Sequence, residues 1–287
     1  MSLSQLSRPI PASETKHLTL LEYPLWPPIE GYSIDCGNQR VARLIQNDNC
    51  RTSTGSTLWL SSQILSAYLL ATLSKNVVRA KRNHSLRAIE VGAGTALSYT
   101  VLATDIEPSL TQILVPNVRN WMEDNNSSTG KISTCRLNWN LELDWTSINT
   151  AFSSGPNDKA PGNLNSRSLS VGQTQPLVDG DGLAATPIDL IVSADTVYAV
   201  ELIRPLLNTL STLSARSPKP PMIHLALERR DPSLVDKFFQ MAVEMGFRAT
   251  QIEPNRLRKM VESMGWIDED WEAVEVWKLS MKQKRGV

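Results

Sequence analysis

Apolar residues recur with two different periods along this chain. In STLWLSSQILSAYLLATLSK, Leu60, Ile64, Leu65, Leu69 and Leu73 fall at helical spacing, which predicts an amphipathic helix. Before it, YSIDCGNQRVARLIQ alternates on both sides of CGNQ and predicts a β-hairpin with Gly37 and Asn38 in its turn. From residue 86 the pattern becomes strand–helix alternation. LRAIEV is a short apolar run ending at a glycine, and VLATD ends on Asp105. PSLTQILVPNVRNWMED has helical spacing, with Ser109 as a cap and Pro116 as a kink or break. KISTCRLNW and LELDW both read as strands and compete for one place. Further on, IDLIVSAD, MIHLAL, FRATQIEP and EAVEVWKLSM read as strands. ELIRPLLNTLSTL and DPSLVDKFFQMAVEMG read as helices, the second capped by Asp231 and stopped at Gly246.

Such alternation implies an α/β fold with a mostly parallel sheet covered on both faces. The expected sheet has seven strands with the last one antiparallel, and the hairpin and helix are appended at its N-terminal side. Residues 1–20 read as a loose tail, 21–80 as hairpin and helix, and 81–287 as the main domain. Residues 150–187 are rich in Gly, Ser, Asn and Pro and poor in large apolar residues, which predicts a mobile insertion.

Composition narrows the class. Lys+Arg and Asp+Glu are both 29, so no net charge draws the chain to nucleic acid. No apolar run reaches the ~20 residues of a membrane-spanning helix, and MSLSQLSRPIPASETKH lacks the apolar stretch of a signal peptide. Cys36, Cys50 and Cys135 are scattered without CxxC spacing, which predicts free thiols in a reducing cytosol and no metal cluster. His17, His84 and His224 stand far apart, and His224, inside MIHLAL, reads as a packed core histidine.

In parallel sheets ligands bind outside the carboxyl ends of the strands. That selects Gly92, Asp105, Trp139 or Trp145, Asp195 and Glu228. Glu90-Val91-Gly92-Ala93-Gly94-Thr95 offers a glycine turn where backbone can pass close to a ligand. Asp105, ending the next strand, offers a carboxylate able to accept both hydroxyls of a ribose. Ala96 and Leu97 stand where a dinucleotide site has its third glycine, so a nicotinamide cofactor fits poorly. After IDLIVS, Asp195 and Tyr198 bring a carboxylate and a phenol to one rim, a pair able to orient an amine for attack on an electrophilic methyl group.

These stretches resemble the seven-strand S-adenosylmethionine-dependent methyltransferases, and among them the protein-lysine group called methyltransferase family 16. The resemblance runs from about Tyr32 to the last strand. It rests on LIQ with STLWLSSQILSAYLL, then EVGAGT, VLATDIEP, LDW and DLIVSADTVY in order, with ALERRDPSLV in support. It implies a Rossmann-like fold and S-adenosyl-L-methionine as cofactor. Trp59 would pack near that cofactor. Gly92, Ala93 and Gly94 would pass under its methionine and ribose, with Glu90 setting the loop and Asp105 holding the ribose. Trp145 in ELDWT is favoured beside the adenine, with Trp139 in RLNWN as rival. Ala194 would line the methionine side, and Asp195 and Tyr198 would stand where the target lysine enters. The implied partner is a protein lysine, with no nucleic acid or membrane. The implied state is a monomer in the cytoplasm, with the nucleus as alternative. A small-molecule amine methyltransferase and a non-catalytic relative acting as a binding module are the rivals.

One departure stands out. A parallel crossover takes a dozen or more residues, usually with a helix, whereas eight residues, Ala93 to Thr100, join the first two strand-like runs. Three readings stay open: a shortened segment, a relative with weak cofactor binding, or a longer strand SYTVLATD reached by a short loop.

Overall fold

The computed structural model describes residues 9–24, 41–47, 57–79, 87–92, 100–124, 131–153, 187–262, 266 and 271–281. Seven strands form one sheet: β3 (Arg87–Val91), β4 (Thr100–Asp105), β5 (Lys131–Arg136), β6 (Leu190–Ala194), β7 (Met222–Glu228), β8 (Phe247–Gln251) and β9 (Val274–Met281). Their order is β5-β4-β3-β6-β7-β9-β8. The pairings from β5 through β7 are parallel, and β9 runs antiparallel to both β7 and β8. Strand order reverses between β3 and β6, so the crevice at their carboxyl ends is the natural place for a ligand.

Side chains along the central strands alternate between two cores, as the two-residue period requires. Ile89, Val91, Leu102, Ile191 and Leu225 face one layer of helices: α4 (Trp145–Ser153), α5 (Val200–Arg216) and α6 (Pro232–Glu244). Ala88, Val101, Val192 and Ala226 face the other, with α2 (Leu60–Arg79) and α7 (Pro254–Glu262). Helix α2 is less amphipathic than its spacing predicts, since every residue from Leu60 to Tyr68 is buried, the polar Ser61, Ser62, Gln63 and Ser66 included. Ile64 and Leu65 are sealed against the sheet and Leu69 is partly buried, each fully buried side chain contributing about 1.5–3 kcal/mol.

The N-terminal region differs from expectation. Residues 9–20 are fastened to the domain. They include a short helix, α1 (Ala12–Thr15), and the backbone N–H and carbonyl of Ile10 both bond the Gln63 side chain, at 2.9 and 2.8 Å. The partner of β2 (Val41–Ile45) is β1 (Leu20–Pro24), antiparallel. Leu21 and Tyr23 point inward from β1 and Leu20 outward, so this strand begins on the last residue of the stretch that reads as a tail. The expected first hairpin strand and its turn at Gly37 and Asn38 lie outside the described residues.

Three further local expectations change. Ser109 has helical dihedrals and makes no side-chain cap. Pro116 does not break its helix. A π turn over Leu110–Leu114, closed by Val115 N–H on the Leu110 carbonyl, leads directly into α3 (Val115–Asp124). Proline cannot donate, and its ring crowds the carbonyl four residues back; the widened turn relieves that conflict. The rivalry between KISTCRLNW and LELDW resolves toward the first, which supplies β5. Asp144 Oδ1 instead accepts the Ser147 N–H at 3.0 Å and caps α4, so Trp145 opens a helix. Of the insertion, residues 150–153 complete α4 and 154–186 lie outside the described residues.

Asp231 caps α6 by accepting from Leu234 N–H at 3.1 Å, as its sequence predicts. His224 is buried against Tyr68, and Cys135 is buried and free. No helix among the described residues is long and apolar enough to cross a membrane, and no His, Cys, Asp or Glu group there could hold a metal.

Candidate active site

The carboxyl ends of the central strands are tied together by short hydroxyl side chains. Ser193 Oγ donates to the Val91 carbonyl at 2.8 Å and shares a 2.7 Å hydrogen bond with Thr196 Oγ1. Thr104 Oγ1 donates to the Glu90 carbonyl at 2.6 Å. Leu137 N–H donates to the Asp105 carbonyl at 3.0 Å. These bonds fix the ends of β3, β4, β5 and β6 relative to one another. Gly92 has φ of 83°, and a β-carbon there would stand 2.7 Å from Thr196 Cγ2. Glu90 is buried in the strand before it. Ala93 and Gly94 lie outside the described residues.

Asp195 closes β6 with φ of 51°, a left-handed conformation that aspartate tolerates better than most residues. Two bonds hold it there: its N–H donates to the Ala226 carbonyl at 2.9 Å, and Oδ1 accepts Glu228 N–H at 3.0 Å. Oδ2 is buried and has no hydrogen-bond partner among the described residues. Arg230 Nη2 approaches it to 3.7 Å. Burial pushes the Asp195 carboxyl above its usual range, against the opposing pull of the Ser61 hydroxyl, the Glu228 N–H and the Arg230 charge. Ser61 meets no good hydrogen-bond geometry itself, so it acts on the carboxylate by proximity. Tyr198 is exposed at 46 % on the same rim, and Ala194 packs toward the α2 side.

Asp105 stands at the end of the next strand with Oδ1 accepting Ile106 N–H at 2.7 Å. Its carboxyl is also raised by burial, with its own backbone hydrogen bond opposing and Glu107 adding to the rise. The structure brings Trp139, rather than Trp145, to this rim. Trp139 follows β5 and its Cζ2 would lie 4.0 Å from a β-carbon at Gly92. Trp145 packs under the Arg216 guanidinium, 5.2 Å from its ring centroid, at the far end of α5. That end adjoins Ser217, which bonds Ile188 ahead of β6, so it marks the amino side of the sheet. The expectation that favoured Trp145 fails in placement because ELDW is a helix start and not a strand end.

Trp59 precedes α2 and lies under Arg230, whose Cζ is 4.5 Å from its ring centroid. Arg230 also pairs with Glu228. The sequence singled out Glu228 by position but gave Arg230, Ser61, Ser193 and Thr196 no role. The paired arginines of ERRD directly after a strand were the one available sign for Arg230. The hydroxyls carry no such sign, because serine and threonine are common at strand ends for many reasons.

The donor set suits a nucleoside ligand bearing a charged tail. It combines a glycine turn, a carboxylate on the neighbouring strand, a tryptophan after the strand beyond that reaches the turn, and a second carboxylate across the crevice. A family model described as lysine methyltransferase matches residues 39–152 and 166–245. Solved structures with a likeness to the chain include the METTL16 MTase domain, at 10 % identity and TM-score 0.41 over 76 % of this chain and 68 % of that one. A methyltransferase from Pyrococcus furiosus matches at 12 % identity and TM-score 0.36, covering 73 % and 82 %. An rRNA methylase from Streptococcus thermophilus matches at 9 % and 0.37, covering 74 % and 96 %. At these scores the likenesses carry no argument of their own. No curated protein matches the chain. The family model spans more than half of the sequence, and on that ground the chain belongs to methyltransferase family 16, a family of S-adenosylmethionine-dependent methyltransferases.

Proposed function

We propose that this chain methylates the side-chain amine of a protein lysine. The observation that carries this reading is Asp195, a buried carboxylate whose Oδ2 makes no hydrogen bond among the described residues, set across the β3–β6 crevice from the Gly92 turn. A buried acceptor without a donor costs about 1–3 kcal/mol, and an amine donor from a substrate would relieve that cost.

S-adenosylmethionine, when bound, supplies an already activated methyl group. The residues around it then need to bind, align and exclude water. Asp105 would accept from the ribose hydroxyls, Trp139 would pack by the adenine, and Gly92 would let the backbone approach. Ala194 and Trp59 would line the methionine side, with Glu90 supporting the loop. Asp195 and Tyr198 would accept from the amine and orient it for attack. Nitrogen attacks only when neutral, and a water-poor crevice favours that form.

The residues 93–99 favour a second reading. They are too few for a turn and a full helix, which suits a relative that keeps the fold as a binding module. Calorimetry with S-adenosylhomocysteine separates the two, since absence of binding at millimolar ligand removes the enzyme. Tritiated methyl donor with a cell lysate then distinguishes label in protein from label in small molecules. Asp195→Asn, which tolerates the same backbone conformation, should lower transfer on the order of 100-fold while cofactor affinity stays within about threefold; equal loss of both sinks the assigned role.

A further inference from the structure

The crevice contains a cation that the roles above leave unused. Arg230 is half exposed, its guanidinium 4.5 Å above the Trp59 ring, paired with Glu228, and 3.7 Å from Asp195 Oδ2. That last distance is too long for a hydrogen bond. Oδ2 therefore feels the charge but keeps its lone pairs. The neighbouring Arg229 turns away to Glu275 and Asp236. Among the described residues, the charged groups acting on Asp195 are thus Arg230 and Glu228, both following β7, while α2 contributes only the neutral Ser61 hydroxyl.

We propose that Arg230 is a positioning residue for the accepting amine: its charge, held beside Asp195 by Trp59 and Glu228, offsets the carboxylates and lets a bound ammonium release its proton. This rests on the amine-methylation reading. Two carboxylates alone would bind an ammonium well and keep it charged, and a charged nitrogen has no lone pair to give. A guanidinium never deprotonates in the working range, so the offset is permanent. The ammonium gives its proton to solvent. Its nitrogen lone pair then bonds the methyl carbon as the carbon–sulfur bond breaks, with that electron pair staying on sulfur. The products are a methylated ammonium and a neutral thioether.

The signature is a pair of opposite changes in Arg230→Gln. Binding of n-butylammonium to the full chain, followed by NMR titration near pH 7, should tighten about tenfold because the repelling charge is gone. Methyl transfer into poly-L-lysine at the same pH should fall about tenfold, as the acid limb of its pH profile moves up by about one unit. Arg230→Lys keeps the charge and should return both readouts toward wild type. A merely structural role would weaken both together. Butylammonium binding that is unchanged or weaker in Arg230→Gln overturns the proposal, and so does an Arg230→Lys variant matching Arg230→Gln in both readouts. An acid limb shared by wild type and Arg230→Gln overturns the proposal alone. Absence of transfer from wild type at every pH, to poly-L-lysine and to small amines, overturns the amine reading and the proposal with it.

Discussion

A β-carbon at Gly92 would meet Thr196 Cγ2 at 2.7 Å, and the backbone there has φ of 83°. Alanine at this position therefore faces two separate penalties, a collision and a left-handed conformation. The second alone is worth about 1–2 kcal/mol. Gly92→Ala should lower stability by roughly 2–4 kcal/mol in urea unfolding, counting both penalties. Thr196→Ser removes the colliding methyl but keeps the hydroxyl bonded to Ser193. Combined with Gly92→Ala it should recover the steric share and leave only the backbone share. A double variant no more stable than Gly92→Ala would show that the collision is relieved some other way. The same logic of paired constraint applies at Asp195, whose side chain and N–H are both anchored to the β7 end.

Most strands were legible because each is a short apolar run with a clear stop, and β3, β4, β6, β7 and β9 appear where that pattern puts them. The misses have local causes. Strand β1 carries an exposed Leu20 beside the inward Leu21 and Tyr23, so apolar residues on both sides blur its alternation. Helix α7 buries just Leu257 and Val261, too narrow a stripe to stand out in PNRLRKMVE. At the site, Asp105 and Asp195 were readable because they end strands, whereas the choice between Trp139 and Trp145 needed the Asp144 cap, which looks the same in sequence as a strand acid. His224 shows an element-level consequence. Inside β7, burial first and then Lys278 hold its imidazole down to about 4, from an ordinary 6.5. The unfolded chain then binds more protons than the folded one between about 4 and 6.5. Stability from this group is complete above that window and is lost as pH falls through it. The loss is on the order of 3 kcal/mol at the acid end. His224→Leu should flatten this part of the pH profile in urea unfolding at about pH 7, 5.5 and 4.5. A slope equal to wild type would assign the acid sensitivity to other groups.

Across the whole molecule, two cores on opposite sides of one sheet converge on a single rim, so a ligand seated there should stabilise the entire domain. S-adenosylhomocysteine at about 100 times its dissociation constant should add ~2.7 kcal/mol, a rise of roughly 4–5 °C in the unfolding midpoint for a chain of this size. An unchanged midpoint at millimolar ligand would favour the binding-module reading. The registers of the parallel pairs also differ greatly in sequence separation. Arg87 faces Thr100 across the β3–β4 pair, whereas Ala88 faces Leu190 across β3–β6. Loop-closure entropy grows with the length of the closed segment. The short segment that denies the first crossover a full helix therefore makes β3–β4 the least costly parallel pairing to assemble. In the order of folding events this two-strand unit should protect its amides first in a pulsed hydrogen-exchange experiment, with β6 docking later to complete the crevice.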